Sequence, residues 1–235
     1  MMTLVATQKK KESPQKRPKT ERIQKQAFID LRGGSWLRTF TYVPRDASLT
    51  REQEMTLLWS HLPQKETYIK MFGKDVALPR KQQTYGTKGY TFSGVAHSAL
   101  PIPGEFQCFL DYANEVCAPY LPAGRRFNMM LVNWYENGEN YIGPHKDDEK
   151  QLYLEPLTHE TLVFSMSFGA TRDFILRADD PNAGRDVRLA LAHHDVVLMG
   201  GRCQKTHKHS VPKIANVEEA RSVGPRVNIT MRIFK

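Results

Sequence analysis

Cysteine is scarce in this chain: Cys108, Cys117 and Cys203 are the only three in 235 residues. So few, and an odd number, exclude a disulfide framework and point to a reducing compartment. No apolar run approaches the ~18 residues of a membrane-spanning helix, so none is expected. The N-terminus lacks the apolar stretch of a secretory leader, and no segment repeats. Acidic charge is thin at the N-terminus, where residues 1–26 carry eight Lys and Arg against Glu12 and Glu21. That is a net +6 of the chain's +9. This tail is polar and poor in aromatics, and disorder is expected for it. Lys9–Lys11 and Lys16–Lys19 read as a solubilising leader, a nuclear-import signal or a non-specific attraction to phosphate. What remains suits one folded domain, taken as residues 27–235.

Residues 27–126 read as an N-terminal extension and recognition region. Ala27–Leu31 and Ser35–Val43 are extended. Thr50, with Gln53 as capping-box partner, opens a helix whose Met55, Leu58, Trp59 and Leu62 form an apolar stripe. A second helix starts near Pro103 and buries Phe106, Phe109, Leu110, Ala113 and Val116. From Phe127 the period falls to two. Phe127–Tyr135 reads as a strand with Phe127, Met129, Leu131, Asn133 and Tyr135 on one face. Leu162–Phe168, Asp173–Arg177, Val187–Leu191 and Val196–Met199 are further strands, with Asp179–Gly184 as a hairpin loop. The expected class is α+β, mainly β: a sheet-based core buttressed by N-terminal helices.

The chemistry begins at His145-Lys146-Asp147. In an extended segment these two side chains project to the same side as two convergent ligands. Such a pair alone is more often two unrelated surface residues. A third ligand is available in Thr206-His207-Lys208-His209. Two histidines and a carboxylate form the facial triad that holds non-haem Fe(II) and leaves positions open for O2 and a co-substrate. A zinc site from Cys203, His207 and His209 matches no usual spacing. The last strand, Arg226–Ile233, alternates Val227, Ile229, Met231 and Ile233 with Arg226, Asn228, Thr230 and Arg232. A solvent-exposed edge alternates in the same way, but edges are usually guarded by Lys or mixed charge. Two guanidinium forks flanking an amide and a hydroxyl suit a small dicarboxylate. Asn133 and Tyr135 complete the lining. An oxygen-using iron site beside a dicarboxylate pocket implies 2-oxoglutarate.

Asn133-x-Tyr135, His145-x-Asp147-x-Glu149, Ser167–Phe174, His209-Ser-Val-Pro and Pro225–Arg232 occur in the order and character of one family. Together they resemble the AlkB family of iron and 2-oxoglutarate dioxygenases. Phe72–Gln82 and Tyr90–Gly94 resemble its eukaryotic homologue-two subgroup of DNA-repair enzymes, and the likeness covers roughly residues 65–235. It implies a double-stranded β-helix (jelly-roll) core over residues 127–235 with iron in its mouth. It implies Fe(II) on His145, Asp147 and His209, the last preferred to His207 because Ser-Val-Pro follows it. Asn133, Tyr135, Arg226, Asn228, Thr230 and Arg232 would hold 2-oxoglutarate, with O2 as second co-substrate.

The resemblance also implies DNA as partner. Phe72, beside Gly73 and Lys74, becomes a finger entering the base stack; Arg80 and Lys81 hold phosphates. Tyr90, Thr91, Phe92 and Ser93 line the pocket of a flipped base, and Asp148 or Glu149 hydrogen-bonds it. Without the resemblance, Phe72 reads as a core residue and Tyr90 and Phe92 as an ordinary strand face. The implied activity is oxidative demethylation of 1-methyladenine and 3-methylcytosine in DNA, duplex rather than single-stranded, by a nuclear monomer. Action on RNA or single-stranded DNA, and a non-catalytic jelly-roll binding module, are the alternatives. Four features depart from the pattern. Trp134 replaces an arginine, no aromatic pair precedes His209, residues 214–224 form a longer insert, and Val76 stands where His is expected.

Overall fold

A computed structural model of the chain describes residues 21–22, 26–44, 49–71, 73–92 and 95–235. In chain order the elements are β1 (Glu21–Arg22), β2 (Gln26–Arg32), β3 (Ser35–Thr41), α1 (Arg51–Ser60), β4 (Tyr68–Met71) and β5 (Lys74–Ala77). Next come β6 (Lys81–Gly86), β7 (Tyr90–Phe92), β8 (Val95–His97), β9 (Ala99–Leu100), α2 (Gly104–Val116), β10 (Met129–Tyr135) and β11 (Ile142–His145). The chain continues through β12 (Val163–Gly169), β13 (Arg172–Ala178), β14 (Val187–Leu191), β15 (Asp195–Gly201) and α3 (Cys203–Thr206). It closes with β16 (His207–Val211), α4 (Val217–Ser222) and β17 (Arg226–Arg232).

Eight strands form a large sheet in the order β2-β3-β15-β12-β17-β10-β6-β9, and five form a smaller one, β1-β14-β13-β16-β11. Pairing is antiparallel except for β6–β9 and β1–β14. The sheets close on a shared core. Leu37, Val163, Val197 and Met199 from the large sheet join one apolar cluster with Phe174, Leu176, Leu189 and Val211 from the small one. This is the jelly roll expected from the sequence. The far face of the large sheet carries Met130, Val132, Trp134, Phe164, Met166, Val227, Ile229 and Met231, which pack with Leu58 of α1 and Phe106, Phe109 and Ala113 of α2. Burying each such side chain contributes about 1.5–3 kcal/mol, so the helices are fixed by packing more than by propensity.

Every residue of β10, β12 and β17 is buried. β17 therefore lies in the middle of the large sheet between β12 and β10, and no face of it is a solvent edge. Trp134 faces the helices and donates from Nε1 to the Leu58 carbonyl at 2.9 Å. That places the departure from the family pattern on the side away from the site.

The capping box at Thr50 forms as expected: Gln53 N donates to Thr50 Oγ1 and Thr50 N to Gln53 Oε1. One expectation needs correction. Phe127 does not share a face with Asn133 and Tyr135, because β10 begins only at Met129. Asn114 of α2 accepts from Phe127 N at 2.8 Å and pins that ring into the helix-side cluster. β2, β3, β6 and β9 of the N-terminal half belong to the large sheet, and α1 and α2 buttress it.

Candidate metal centre and co-substrate pocket

β11 ends at His145, and the chain stays extended long enough to turn Asp147 to the same side. β16 pairs antiparallel with β11 and sets His209 opposite His145 in register. Three residues far apart in sequence thereby converge. Asp147 Oδ1 lies 3.8 Å from His145 Nε2, and Asp147 Oδ2 lies 3.8 Å from His209 Nε2. One ligand atom from each falls within 4.8 Å of the others. Gly143 O accepts a hydrogen bond from His145 Nδ1–H at 3.0 Å, which keeps the ring proton on Nδ1 and leaves Nε2 bare for a metal.

The electrostatics suit a divalent cation. Burial holds His209 down to about 3, helped by His145 and Arg232, and burial also lowers His145. Both imidazoles are therefore neutral ligands at pH 7. Burial opposes the Asp147 charge, but Arg232, His209 and His145 outweigh it and keep the carboxyl below its usual range. Asp147 Oδ2 is buried and has no hydrogen-bond partner among the described residues. An orphaned carboxylate oxygen facing two bare imidazole nitrogens is what a cation satisfies. The set fits Fe(II).

Around the triad stand residues the sequence reading did not single out. Gln204 of α3, buried, accepts from Asp147 N at 2.9 Å and fixes the backbone that carries the ligand. Its place just upstream of the His207–His209 motif was the available signal. Lys146 points the opposite way from the ligands, donating to Asp179 Oδ2 and the Lys205 carbonyl. His207 is no rival ligand. It sits one strand repeat from His209, ~6.7 Å along β16, with Nε2 against Arg185 O and Nδ1 against Thr206 Oγ1. Cys203 is buried, and burial pushes its thiol up to about 12.

Beside the triad is a small cavity of about 30 Å³ lined by Asn133, Tyr135, Ser165, Arg226, Asn228, Thr230 and Arg232, with Leu131, Ile142, Phe174, Met199 and Val211 as its apolar wall. The alternation of β10 and β17 turns these polar residues inward while their neighbours face the helices. Arg226 is buried over the Tyr135 ring at 5.0 Å, and its Nη2 donates to Ser167 Oγ at 3.0 Å. Its Nε and Nη1 meet no acceptor among the described residues, and burial lowers its pKa. A buried cation so poorly paired is a receptor for a carboxylate. Asn228 is already committed: its amide donates to Ser165 Oγ and Met166 O and accepts from Thr230 Oγ1.

Two of the expected site residues are already paired within the protein. Arg232 lines the cavity, but Nη2 donates to Asp147 Oδ1 at 2.6 Å and Nη1 to Glu149 Oε1 at 3.0 Å. From the cavity wall it thus ties Asp147 and Glu149 to β17. Arg80, expected on a phosphate, is only 7 % exposed. Its Nε donates to Asn133 Oδ1 at 2.7 Å and Nη2 to Gln82 Oε1 at 3.1 Å, so it supports the pocket floor from β6's side. Glu149 is drawn inward by Arg232, and burial raises its pKa, whereas Asp148 is exposed.

Away from the cavity, β4 and β5 form a hairpin in which Met71 pairs with Lys74. Gly73, at φ +77°, takes the left-handed turn position that glycine occupies without strain. Gly73 and Lys74 are exposed. Tyr90, Thr91 and Phe92 form β7, paired with β8 through His97, Ala96 and Val95. Phe72, Ser93 and residues 1–20 of the basic tail lie outside the described residues.

Residues 41–232 match the family model of the 2OG-Fe(II) oxygenase superfamily. The DNA oxidative demethylase ALKBH2 of Mus musculus is 37% identical over 172 residues, covering 70% of this chain and 65% of that protein. ALKBH2 of Homo sapiens is 36% identical over the same length, covering 70% and 60%. The human alpha-ketoglutarate-dependent dioxygenase alkB homolog 3 is 32% identical over 161 residues, covering 66% and 51%. The chain thus spans between half and two thirds of the length of these relatives. The solved structure of OsALKBH1 superposes with a TM-score of 0.51 at 20% identity, over 88% of this chain and 99% of that one, a likeness of fold. The triad, the arginine-floored pocket and the extent of the family match together place this chain in the 2OG-Fe(II) oxygenase superfamily, with AlkB-type enzymes among its relatives.

Proposed function

We propose that this protein is an AlkB-type DNA oxidative demethylase that acts on N-alkylated bases such as 1-methyladenine and 3-methylcytosine. The observation that carries the reading is the juxtaposition of the His145–Asp147–His209 cluster, with its orphaned carboxylate oxygen, and the under-paired Arg226 guanidinium. Iron(II), 2-oxoglutarate and O2 supply the oxidation, in which 2-oxoglutarate goes to succinate and CO2 while an N-methyl carbon is hydroxylated and leaves as formaldehyde. His145, Asp147 and His209 hold the iron. Arg226 and Tyr135 would hold a carboxylate of 2-oxoglutarate, with Asn133, Asn228 and Thr230 lining the same cavity. The apolar wall of Ile142, Phe174 and Val211 keeps water from the reacting centre.

DNA is the partner this reading requires, in duplex form, and the nucleus is the compartment that follows. An alkylated ring nitrogen leaves a cationic, poorly pairing base that costs less to extrude. Gly73 and Lys74 are exposed at the start of β5, and the aromatic that precedes them in sequence, Phe72, is the residue type that would wedge into the vacated stack. Such a wedge offsets an unstacking cost of a few kcal/mol. Lys74 and Lys81 supply cationic contacts to phosphate, and Asp148 gives the cationic base a counter-charge. Among the described residues no helix is long and apolar enough to cross a membrane.

The test is turnover of methylated oligonucleotides by the purified chain with Fe(II), ascorbate and 2-oxoglutarate, read as formaldehyde and repaired base. Repair of duplex substrate, lost far more than single-strand repair in Phe72→Ala, is the expected result. Equal losses on both would favour the single-strand or RNA reading, and no turnover on any of them would remove the demethylase.

A further inference from the structure

A second cluster of ligand-type side chains lies outside the pocket: Glu54 of α1, and His193 and His194 in the turn between β14 and β15. Glu54 Oε2 lies 3.1 Å from His193 Nε2 and 2.6 Å from His194 Nε2, and the two rings stack at 3.9 Å. Its composition invites a metal, but one hydrogen bond argues against that. Gly169 N, which can only donate, points at His193 Nδ1 at 3.0 Å. Nδ1 must therefore be bare, the ring proton sits on Nε2, and Nε2–H donates to Glu54. A metal on Nε2 would demand the opposite tautomer. His194 holds a left-handed backbone at φ +71°, uncommon for a residue with a side chain.

The strained turn is tied to the strand end beneath Arg226. His194 N donates to Ser167 O at 2.7 Å, and Ser167 Oγ is the acceptor for Arg226 Nη2. Gly169, held on its amide by His193, is held on its carbonyl by Arg51 of α1 at 2.8 Å. It sits opposite Arg226 in the β12–β17 register. Gly169, at φ +84°, presses so closely on Pro225 that an added Cβ would stand 2.3 Å from the Pro225 carbonyl.

We propose that Glu54, His193 and His194 are positioning residues: a carboxylate–imidazole clamp that anchors the end of β12 to α1 and so fixes Arg226 for the co-substrate carboxylate. The clamp touches neither iron nor co-substrate. The inference rests on the reading of Arg226 as the 2-oxoglutarate receptor.

The experiment measures Mn(II) and 2-oxoglutarate affinity by calorimetry on the full chain, without turnover. His193→Phe, which removes the acceptor for Gly169 N–H, is expected to weaken 2-oxoglutarate about tenfold while Mn(II) affinity stays unchanged. His193→Asn keeps an oxygen near the Nδ1 position and should restore most of the loss. Glu54→Ala should resemble His193→Phe. Unchanged 2-oxoglutarate affinity in both His193→Phe and Glu54→Ala would overturn the clamp. So would equal losses in the Phe and Asn variants, a parallel loss of Mn(II), or a second equivalent of Zn(II) bound by wild type and lost in Glu54→Ala. Failure of the wild-type chain to bind 2-oxoglutarate in the presence of Mn(II) would instead strike the reading of the pocket itself.

Discussion

Replacing Arg232 by Met should cost the metal-free protein far more than it costs the metal-loaded one. Arg232 lies between two buried carboxylates, Asp147 at 2.6 Å and Glu149 at 3.0 Å, whose side chains are 1% and 5% exposed. Removing one partner of a buried ion pair costs about 3–5 kcal/mol, because the remaining charge has neither water nor counter-ion. Glu149, whose pKa burial already raises, can relieve part of this by taking up a proton, so the lower end applies. Asp147 loses in the same step the largest of the influences that hold its carboxyl below the usual range, so burial then opposes its charge. For a chain of this size about 3 kcal/mol lowers the melting temperature by roughly 6–12 °C. A divalent cation in the triad supplies to Asp147 the positive charge that Arg232 supplied. Saturating Mn(II) should therefore raise the melting temperature of Arg232→Met by more than it raises that of wild type. Arg226→Met provides the contrast: no carboxylate is orphaned, a poorly paired buried cation disappears, and metal-free stability should change little. The assay is a thermal melt of all three proteins with and without Mn(II). An Arg232→Met protein melting within about 2 °C of metal-free wild type, with no extra gain from Mn(II), would refute this account of the site's electrostatics.

The remaining expectations concern the same ligands. His209 is held neutral down to about 3, so the unfolded chain takes up a proton near the ordinary histidine pKa that the folded, metal-free chain refuses. Stability should therefore fall as pH drops from about 6.5 towards 3, by up to about 1.4 kcal/mol per pH unit from this group. His209→Asn should flatten that slope in urea titrations between pH 4 and 7; identical slopes would contradict the assignment. Gln204→Leu removes the acceptor for the buried Asp147 amide and should weaken Mn(II) binding about 10–100-fold by calorimetry. Wild-type affinity in that variant would show that the Gln204 bond does not orient the ligand. Thr50→Ala, which breaks the capping box of α1, should cost about 1 kcal/mol in urea unfolding without altering metal affinity.

Much of this architecture was legible because alternation survives in the sequence wherever two faces have different duties. β17 announces its duties residue by residue, Arg226, Asn228, Thr230 and Arg232 against Val227, Ile229 and Met231. What alternation could not say is that its polar face looks into a cavity and not into solvent, which depends on β12 and β10 flanking it on both sides. The ligands were legible as types, and the Ser-Val-Pro that follows His209 marked it over His207; what the sequence did not give is the register that sets His209 opposite His145. The supporting shell was mostly illegible. Arg80 reads as a surface cation beside Lys81, yet it folds inward onto Asn133, 53 positions away. Glu54, an acid in the first turn of α1, meets His193 and His194, 139 and 140 positions on. These partners are brought together by sheet closure, and no local pattern encodes them.

Anaerobic equilibrium dialysis of Fe(II) and 2-oxoglutarate against wild type and single variants tests the central claim most directly. One equivalent of each should bind. His145→Ala, Asp147→Ala and His209→Ala should each lose the iron, and Arg226→Ala should lose 2-oxoglutarate while keeping the iron. Iron held at wild-type affinity by all three triad variants would contradict the metal centre, and with it the chemistry assigned to this fold.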